Sequence, residues 1–200
     1  MAGIYKAGAV FLREGPQGLE VLLVRPKPKN EGEQAPWVLP RGSRRYQDSG
    51  GDWHDVRTAD DRKLVERHHL RMEPLEETLL REAEEESGID AKLLRSNHLR
   101  LYRLGTRAMP VGPEKESLAI EWYVGLVKKD SHDVVDAQIF GKMPPDASEF
   151  PQWKPVARLH DVQDLSQKYI AVVEAAASKF QAGELDPFMF SGGKGSKARS

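Results

Sequence analysis

Acidic side chains are concentrated near the end of one predicted helix. Four of the five residues from Glu82 to Glu86 are glutamates, and Gly88 follows shortly after them. Negative charge near a helix C-terminus opposes the helix dipole, and like charges at helical spacing cost about 0.2–0.5 kcal/mol per pair. A group outside the helix is therefore expected to offset this cost.

Three of these carboxylates fall on one side of the helix. At 100° per residue, Glu82, Glu85 and Glu86 occupy an arc of roughly 100° beside the apolar face, whereas Glu84 points away. Carboxylate oxygens suit hard cations such as Mg²⁺ or Mn²⁺ and do not favour zinc. The pattern predicts a divalent-cation site, and a charged solvent-facing surface is the alternative.

The stretch REAEEESGI, residues 81–89, resembles the core of the Nudix box, which reads Arg-Glu-apolar-x-Glu-Glu-x-Gly-apolar. The box also has a Glu with seven residues between it and the Arg, and Glu73 stands at that position. Every fixed position of the core matches: Arg81, Glu82, Ala83, Glu85, Glu86, Gly88 and Ile89. The resemblance is therefore specific, well beyond a chance run of acidic residues.

The leading Gly of the box is displaced in this chain. In the family, five residues separate this Gly from the Glu. That position is occupied here by Arg67, and a matching Gly appears earlier as Gly42 in WVLPRGS. Thirty residues lie between Gly42 and Glu73, so an insertion of about twenty-five residues splits the box. Because both ends are intact, the resemblance implies a loop that was extended while the site was kept.

A second resemblance covers residues 148–180, which are similar to the C-terminal part of RNA 5′-pyrophosphohydrolases and dinucleoside polyphosphate hydrolases. Those enzymes have an acidic-Phe-x-x-Trp motif followed by a helix with a basic–aromatic pair near its start. The Glu of that motif reaches the metal centre, and Glu149 is the matching position. Trp122 resembles the strand Trp of the same subgroup, although a buried core position explains it equally well.

The resemblance implies an α/β Nudix fold, in which a mixed β-sheet lies between helices as an α/β/α sandwich. It implies a metal-dependent pyrophosphohydrolase that cleaves a phosphoanhydride bond in a nucleoside diphosphate linked to another moiety, with dinucleoside polyphosphates and 5′-triphosphorylated RNA ends as the first candidates. Nucleotide sugars, nucleoside triphosphates and inositol pyrophosphates are alternatives, because a fold alone does not select a substrate. A non-catalytic module that binds nucleotide or RNA is an alternative of another class, and it would be expected to lose the metal glutamates.

Residue roles follow from the same resemblance. Two or more Mg²⁺ or Mn²⁺ ions would be held by Glu82, Glu85, Glu86 and Glu149. The catalytic set comprises Glu85, Glu149, Arg81 and Glu82, with Arg81 orienting a glutamate and either Glu85 or Glu149 as general base. The motif residues Gly42, Glu73 and Gly88 have supporting roles. Apart from the resemblance, the basic residues Arg41, Arg25 and Arg44 near the site are candidates for binding substrate phosphates, with an ordinary charged surface as the alternative for each. Arg41 has the best claim because it precedes Gly42.

The elements that must position these residues are predicted from their apolar patterns. Strands are expected over 6–14, 18–26, 98–106 and 116–129 and in WKPVARL, and residues 130–148 are expected to form a loop. Helices are expected from Thr58, which can form a capping box with Asp61, from Pro74 to Gly88, and over 161–180. Strands mixed with helices in no regular alternation favour a mixed sheet.

The composition fits one domain of 200 residues, with residues 1–185 as the Nudix domain and 186–200 as a flexible tail. A net charge of −1 excludes a global basic field for nucleic acid, and the absence of cysteine excludes disulfides and a thiolate nucleophile. No stretch has the length of a membrane span or the pattern of a signal peptide, so a cytoplasmic protein without a membrane partner is expected. The oligomeric state is left open.

The insertion, residues 43–72, has its own predicted role. Its ends should lie close together, so its body is expected to project beside the substrate cleft. Gly50-Gly51 as a hinge, with Tyr46 and Trp53 for stacking, favours a lid. A packed surface decoration is the alternative, because a longer loop costs only about 0.6 kcal/mol per doubling of its length.

Overall fold

Ten strands and five α-helices are arranged along the described part of the chain. The structure is a computed structural model, and it describes residues 4–28, 30–111 and 116–190. The strands are β1 Lys6–Gly15, β2 Gly18–Pro26, β3 Arg41–Ser43, β4 Arg45–Gln47, β5 Trp53–Asp55, β6 Arg71–Met72, β7 Leu99–Val111, β8 Glu116–Val127, β9 Ala147–Pro155 and β10 Asp186–Pro187. The helices are α1 Ala59–His68, α2 Leu75–Ser87, α3 Ala91–Leu94, α4 His132–Gly141 and α5 Gln167–Ala182, and 3₁₀ turns cover Lys129–Ser131 and Val156–Asp161.

Seven strands form one mixed sheet in the order β10-β7-β8-β1-β2-β9, with β3 paired to β1. The central strands β1 and β8 run parallel, and the other neighbouring pairs are antiparallel. Along β1, Val10 and Leu12 belong to one buried cluster, whereas Ala9 and Phe11 belong to another. Both faces of the sheet are thus covered, which explains the continuous apolar run of β1.

The two faces are covered by different helices. Helix α5 packs Tyr169, Ile170 and Val173 onto one face, and α2 packs Leu79 and Ala83 onto the other. Helices α3 and α4 add to the α2 side. The predicted α/β/α sandwich with a mixed sheet is therefore confirmed.

Three of the predicted secondary-structure assignments are wrong. The stretch 130–148, expected to be a loop, contains α4, whose Val135 and Ile139 are fully buried one turn apart. The strand expected in WKPVARL lies earlier, as β9, and ends in a 3₁₀ turn. Helix α5 starts at Gln167 instead of residue 161, because Asp164 adopts a left-handed φ of 65° that no helix can include.

The insertion forms a small packed unit. Its strands make a second sheet in the order β5-β4-β6, and α1 lies against it. Val56 and Val65 are buried with Tyr46, and Tyr5 from the main domain joins the same cluster. Gly51, with a φ of 94°, lies in the tight connection between β4 and β5, where a hinge was predicted. The contacts therefore support packed structure over a freely projecting lid.

Residues 186–190 belong to the folded domain. Strand β10 pairs with β7, the Phe188 N–H donates to the Leu101 carbonyl at 2.9 Å, and Phe188 packs against Tyr123. The predicted tail thus begins too early, and its residues 191–200 lie outside the described residues. Within the described ranges, no helix is long and apolar enough to cross a membrane.

Candidate active site

Helix α2 places the box glutamates along the edge of its buried face. Leu79, Leu80 and Ala83 are buried against the sheet, and Glu82, Glu85 and Glu86 are partly exposed beside them. Gly88 ends the helix with a left-handed φ of 77°, and its N–H donates to the Glu84 carbonyl. The predicted helical register is confirmed, and Gly88 acts as the C-terminal cap.

Arg81 connects the two halves of the split box. Its Nη1 donates to Glu82 at 2.5 Å and to Glu85 at 3.0 Å, and its Nη2 donates to Glu73 at 3.0 Å and to the Ser43 carbonyl at 2.7 Å. Burial alone would raise the pKa of Glu73, but these hydrogen bonds hold that pKa below its ordinary value. Arg81 therefore holds Glu73, Glu82 and Glu85 by charge-assisted hydrogen bonds.

Gly42 lies directly against a box carboxylate. A Cβ atom at this position would lie 1.8 Å from the carboxyl carbon of Glu82. Burial raises the pKa of Glu82, and the nearby charge of Glu85 raises it further. Only glycine leaves room for Glu82 here, so the displaced Gly42 occupies the place that the box requires.

Glu86 is the most strongly perturbed carboxylate of the helix. Burial raises its pKa to about 8, although the Arg41 N–H donates to its Oε2 at 2.8 Å, and the charges of Glu82 and Asp146 add to the shift. The Arg41 side chain turns to α5, where its Nε donates to the Tyr169 hydroxyl at 2.6 Å. The C-terminal basic–aromatic pair, Lys168 and Tyr169, therefore lies beside Arg41, and Tyr169 is also near Glu86.

The carboxylate oxygens of this site suit a hard cation, both as oxygen ligands and by their negative charge. Glu82 and Glu86 are partly buried carboxylates with raised pKa values, and a divalent cation would offset both their burial and their mutual repulsion. Within residues 4–28, 30–111 and 116–190, no three acidic or histidine side chains already stand in an arrangement that could hold a metal ion. Glu82 and Glu85 point to Arg81 instead, so metal binding requires these side chains to turn.

Glu149 and Arg25 pair with each other across strands β9 and β2. Arg25 Nε lies 2.9 Å from Glu149 Oε1, and the guanidinium stacks 4.5 Å from the centre of the Trp37 ring. In the described part of the chain, the contacts of Glu149 are to Arg25 and Gln152 and none reaches a box glutamate. Arg25 and Trp37 line a cleft of about 600 Å³ that also includes Trp153.

Arg44 has a different environment from the one predicted. Its Nε donates to the Glu73 carbonyl at 2.7 Å and its Nη1 to the Ile4 carbonyl at 2.9 Å. The guanidinium thus connects the first residues of the insertion to the main chain just before α2. These contacts use two of its five N–H donors, so a role of Arg44 as a phosphate ligand stays a prediction.

Three charged residues near the box were missed in the sequence. Burial lowers the pKa of Lys6 to about 8, with Arg41 lowering it further while Glu82 and Glu86 act in the opposite direction. Asp55 of the insertion lies close enough to affect both Lys6 and Glu82, and the Asp146 N–H donates to the Glu85 carbonyl at 3.0 Å. Of these three residues, only Lys6 could have been noticed in the sequence, because it is a lysine at the start of an otherwise apolar strand.

No known protein-family profile matches the chain, and no curated protein sequence does. The similarity lies in three dimensions. The NUDIX domain of Shewanella oneidensis NrtR, solved with ADP ribose, superposes with a TM-score of 0.54 at 18% identity, over 90% of this chain and 90% of that one. An Ap4A hydrolase binary complex from C. elegans gives a TM-score of 0.53 at 14% identity, over 90% and 99% of the two chains.

A longer protein has a similar fold over most of this chain. S. oneidensis NrtR in complex with a 27mer DNA matches with a TM-score of 0.53 at 19% identity, over 90% of this chain. This chain spans only 63% of that protein's length. The sheet order, the box helix and these superpositions together show that the chain adopts the Nudix fold.

Proposed function

We propose that the protein is a divalent-metal-dependent Nudix hydrolase that cleaves a phosphoanhydride bond in a nucleoside diphosphate linked to another moiety. One observation carries the proposal. Arg81 gathers Glu73, Glu82 and Glu85, and Gly42 lies against Glu82 although thirty residues separate it from Glu73. A surface with no role would not need this convergence across an insertion.

Different residues have different roles in the proposed reaction. Bound Mg²⁺ or Mn²⁺ would neutralise phosphate oxygens and lower the pKa of an attacking water. Glu82 and Glu86 would hold the cations, and Arg81 would keep Glu82 and Glu85 in position. Glu85 is the better candidate for the general base, because it lies within this cluster, whereas the contacts of Glu149 in the described residues are to Arg25 and Gln152.

Cations of the protein itself would orient the phosphate chain. Arg41 lies beside Glu86 and Lys168 lies near Arg41, and their positive charges would meet phosphate oxygens of the substrate. Most of the rate enhancement in phosphoryl transfer comes from such positioning and electrostatic stabilisation. Lys6, buried among the same groups, adds a further positive charge to this end of the site.

The first substrate candidates are dinucleoside polyphosphates and 5′-triphosphorylated RNA ends. Two similar structures, an Ap4A hydrolase and a Nudix domain with ADP ribose, support a nucleotide with a diphosphate link. A binding module without hydrolysis is the second candidate, because a protein with a DNA complex is among the similar structures. The retention of Glu82, Glu85 and Glu86 favours hydrolysis.

Product analysis tests the proposal. A dinucleoside tetraphosphate, ADP-ribose and a triphosphorylated RNA are each incubated with Mg²⁺ or Mn²⁺, with and without EDTA. We expect cleavage of at least one substrate, its loss in EDTA, and its return with added Mg²⁺. Glu86→Gln should lower kcat by about two orders of magnitude, the scale of losing one preorganised electrostatic group, and the matched control Glu84→Gln should not. Binding without any cleavage would favour the second candidate.

A further inference from the structure

The insertion carries a second cleft next to the box helix. This cleft has a volume of about 660 Å³, within the usual range for small-molecule sites, and Arg45, Trp53, His54, Asp55 and Arg57 are among the residues that line it. Arg45 also reaches the box, since its Nη2 lies 3.8 Å from Glu85 Oε1 and its backbone N–H donates to Glu73 at 3.2 Å. One residue thus borders both the cleft and the candidate catalytic carboxylates.

The charges of this cleft leave donors for an anion. Arg45 and Arg57 share one carboxylate, Asp55, at 3.1 and 2.6 Å. A second acid, Asp61, accepts backbone N–H groups of Arg57 and Thr58 as part of the α1 cap. Each guanidinium has five N–H donors, so two of them on one carboxylate keep several donors available for phosphate oxygens.

The same cleft has an aromatic wall. Trp53 is 42% exposed, and the Arg71 guanidinium lies 5.9 Å from its ring centre. His54 stacks against Tyr46 with ring centres 5.4 Å apart, and its Nε2 is 2.9 Å from Asp48. An exposed indole beside open guanidinium donors is the combination that binds a nucleobase and its phosphate.

We propose that the insertion provides a subsite for the distal nucleoside of the substrate, the one beyond the phosphate chain that the box helix holds. The base stacks on Trp53, and Arg57 and Arg45 bind the phosphates between the two nucleosides. The inference rests on the proposed function and narrows it to substrates with a nucleoside at both ends of the phosphate chain. The insertion is then a specificity element, and its rigid packing keeps the subsite at a fixed distance from Glu85.

Calorimetric titration in Mg²⁺ with two probes tests this subsite. One probe is a methylene-bridged, non-cleavable dinucleoside tetraphosphate, and the other is ADP, which has only one nucleoside. We expect Trp53→Ala and Arg57→Met each to lower the affinity for the dinucleoside probe by about tenfold and the affinity for ADP by less than twofold. A tenfold loss is in the lower part of the range for losing one base–aromatic stack. Both side chains are exposed, so the thermal midpoint should hold and show that the variants fold.

Lys63→Met is the matched control for Arg57→Met. Lys63 is a 70% exposed cation on the insertion's own helix, and it lies outside the cleft. The Lys63→Met variant should bind both probes with unchanged affinity. Equal losses for both probes, or no loss for the dinucleoside probe, would overturn the subsite. The proposed function is tested separately, because it fails only if the wild-type protein cleaves none of the substrates in the panel.

Discussion

Replacing Glu86 by Gln should stabilise the metal-free protein at alkaline pH. Burial raises the pKa of Glu86 from 4.5 to about 8, so the folded state binds one more proton than the unfolded state between these values. The stability that the protonated form contributes is complete below about pH 4.5 and is lost as the pH rises to about 8. One pKa unit is worth about 1.4 kcal/mol, which gives an upper limit of roughly 5 kcal/mol for the cost of charged Glu86.

Glutamine should avoid this cost because it resembles the protonated side chain at every pH. Its side-chain oxygen can still accept the Arg41 N–H bond that Glu86 accepts at 2.8 Å. Water penetration and local relaxation reduce the upper limit, so we expect a gain of about 1–3 kcal/mol at pH 8.5 and almost none at pH 4.5. The measurement is urea unfolding at both pH values in EDTA.

Two further measurements sharpen this test. Glu84→Gln, on the same helix, should show no pH-dependent gain. Millimolar Mg²⁺ should reverse the order of stability at pH 8.5, because only the wild-type protein keeps the full carboxylate set and binding stabilises the folded state. A Glu86→Gln protein that is equal to or less stable than wild type at pH 8.5 in EDTA would refute the reasoning.

Three other substitutions test the site and its supports. Gly42→Ala should lower kcat by about a hundredfold with little loss of stability, because the methyl group displaces only the flexible end of Glu82; normal kinetics would contradict this. Arg81→Lys keeps the charge but loses the forked contacts, so urea unfolding should show a loss of about 2 kcal/mol, and an unchanged midpoint would argue against the network. Thr58→Ala removes the α1 capping box and should cost about 1 kcal/mol in the same assay, whereas Lys63→Met should cost almost nothing.

Local patterns in the sequence predicted the box helix correctly. The side of α2 that carries Glu82, Glu85 and Glu86 follows from helical periodicity alone, and Gly88 marks the helix end. The capping box of Thr58 is local in the same sense. Each of these features depends on residues within a few positions of one another, so no knowledge of the tertiary fold was needed.

Features that depend on distant pairings were not predictable. Lys6 and Asp55 approach Glu82 only after the sheet and the insertion have folded, and their local sign in the sequence is limited to the position of Lys6 at the start of an apolar strand. Strands of two or three residues, such as β4 to β6, are too short for period-two alternation to be visible. The charge of Arg44 suggests a phosphate ligand, and nothing local in the sequence shows that its Nε and Nη1 turn to main-chain carbonyls.

The way the insertion closes has a consequence for how such proteins are found. Strand β4 pairs with β6, and the Glu73 N–H donates to the Arg45 carbonyl at 2.7 Å, so both ends of the insertion leave the box at nearly the same point. The motif is thus contiguous in space but interrupted in sequence. A search that counts positions along the chain meets Arg67 where it expects the Gly, whereas a search that compares backbones recovers the fold. Functional motifs of this kind are better described by which atoms meet than by how many residues separate them.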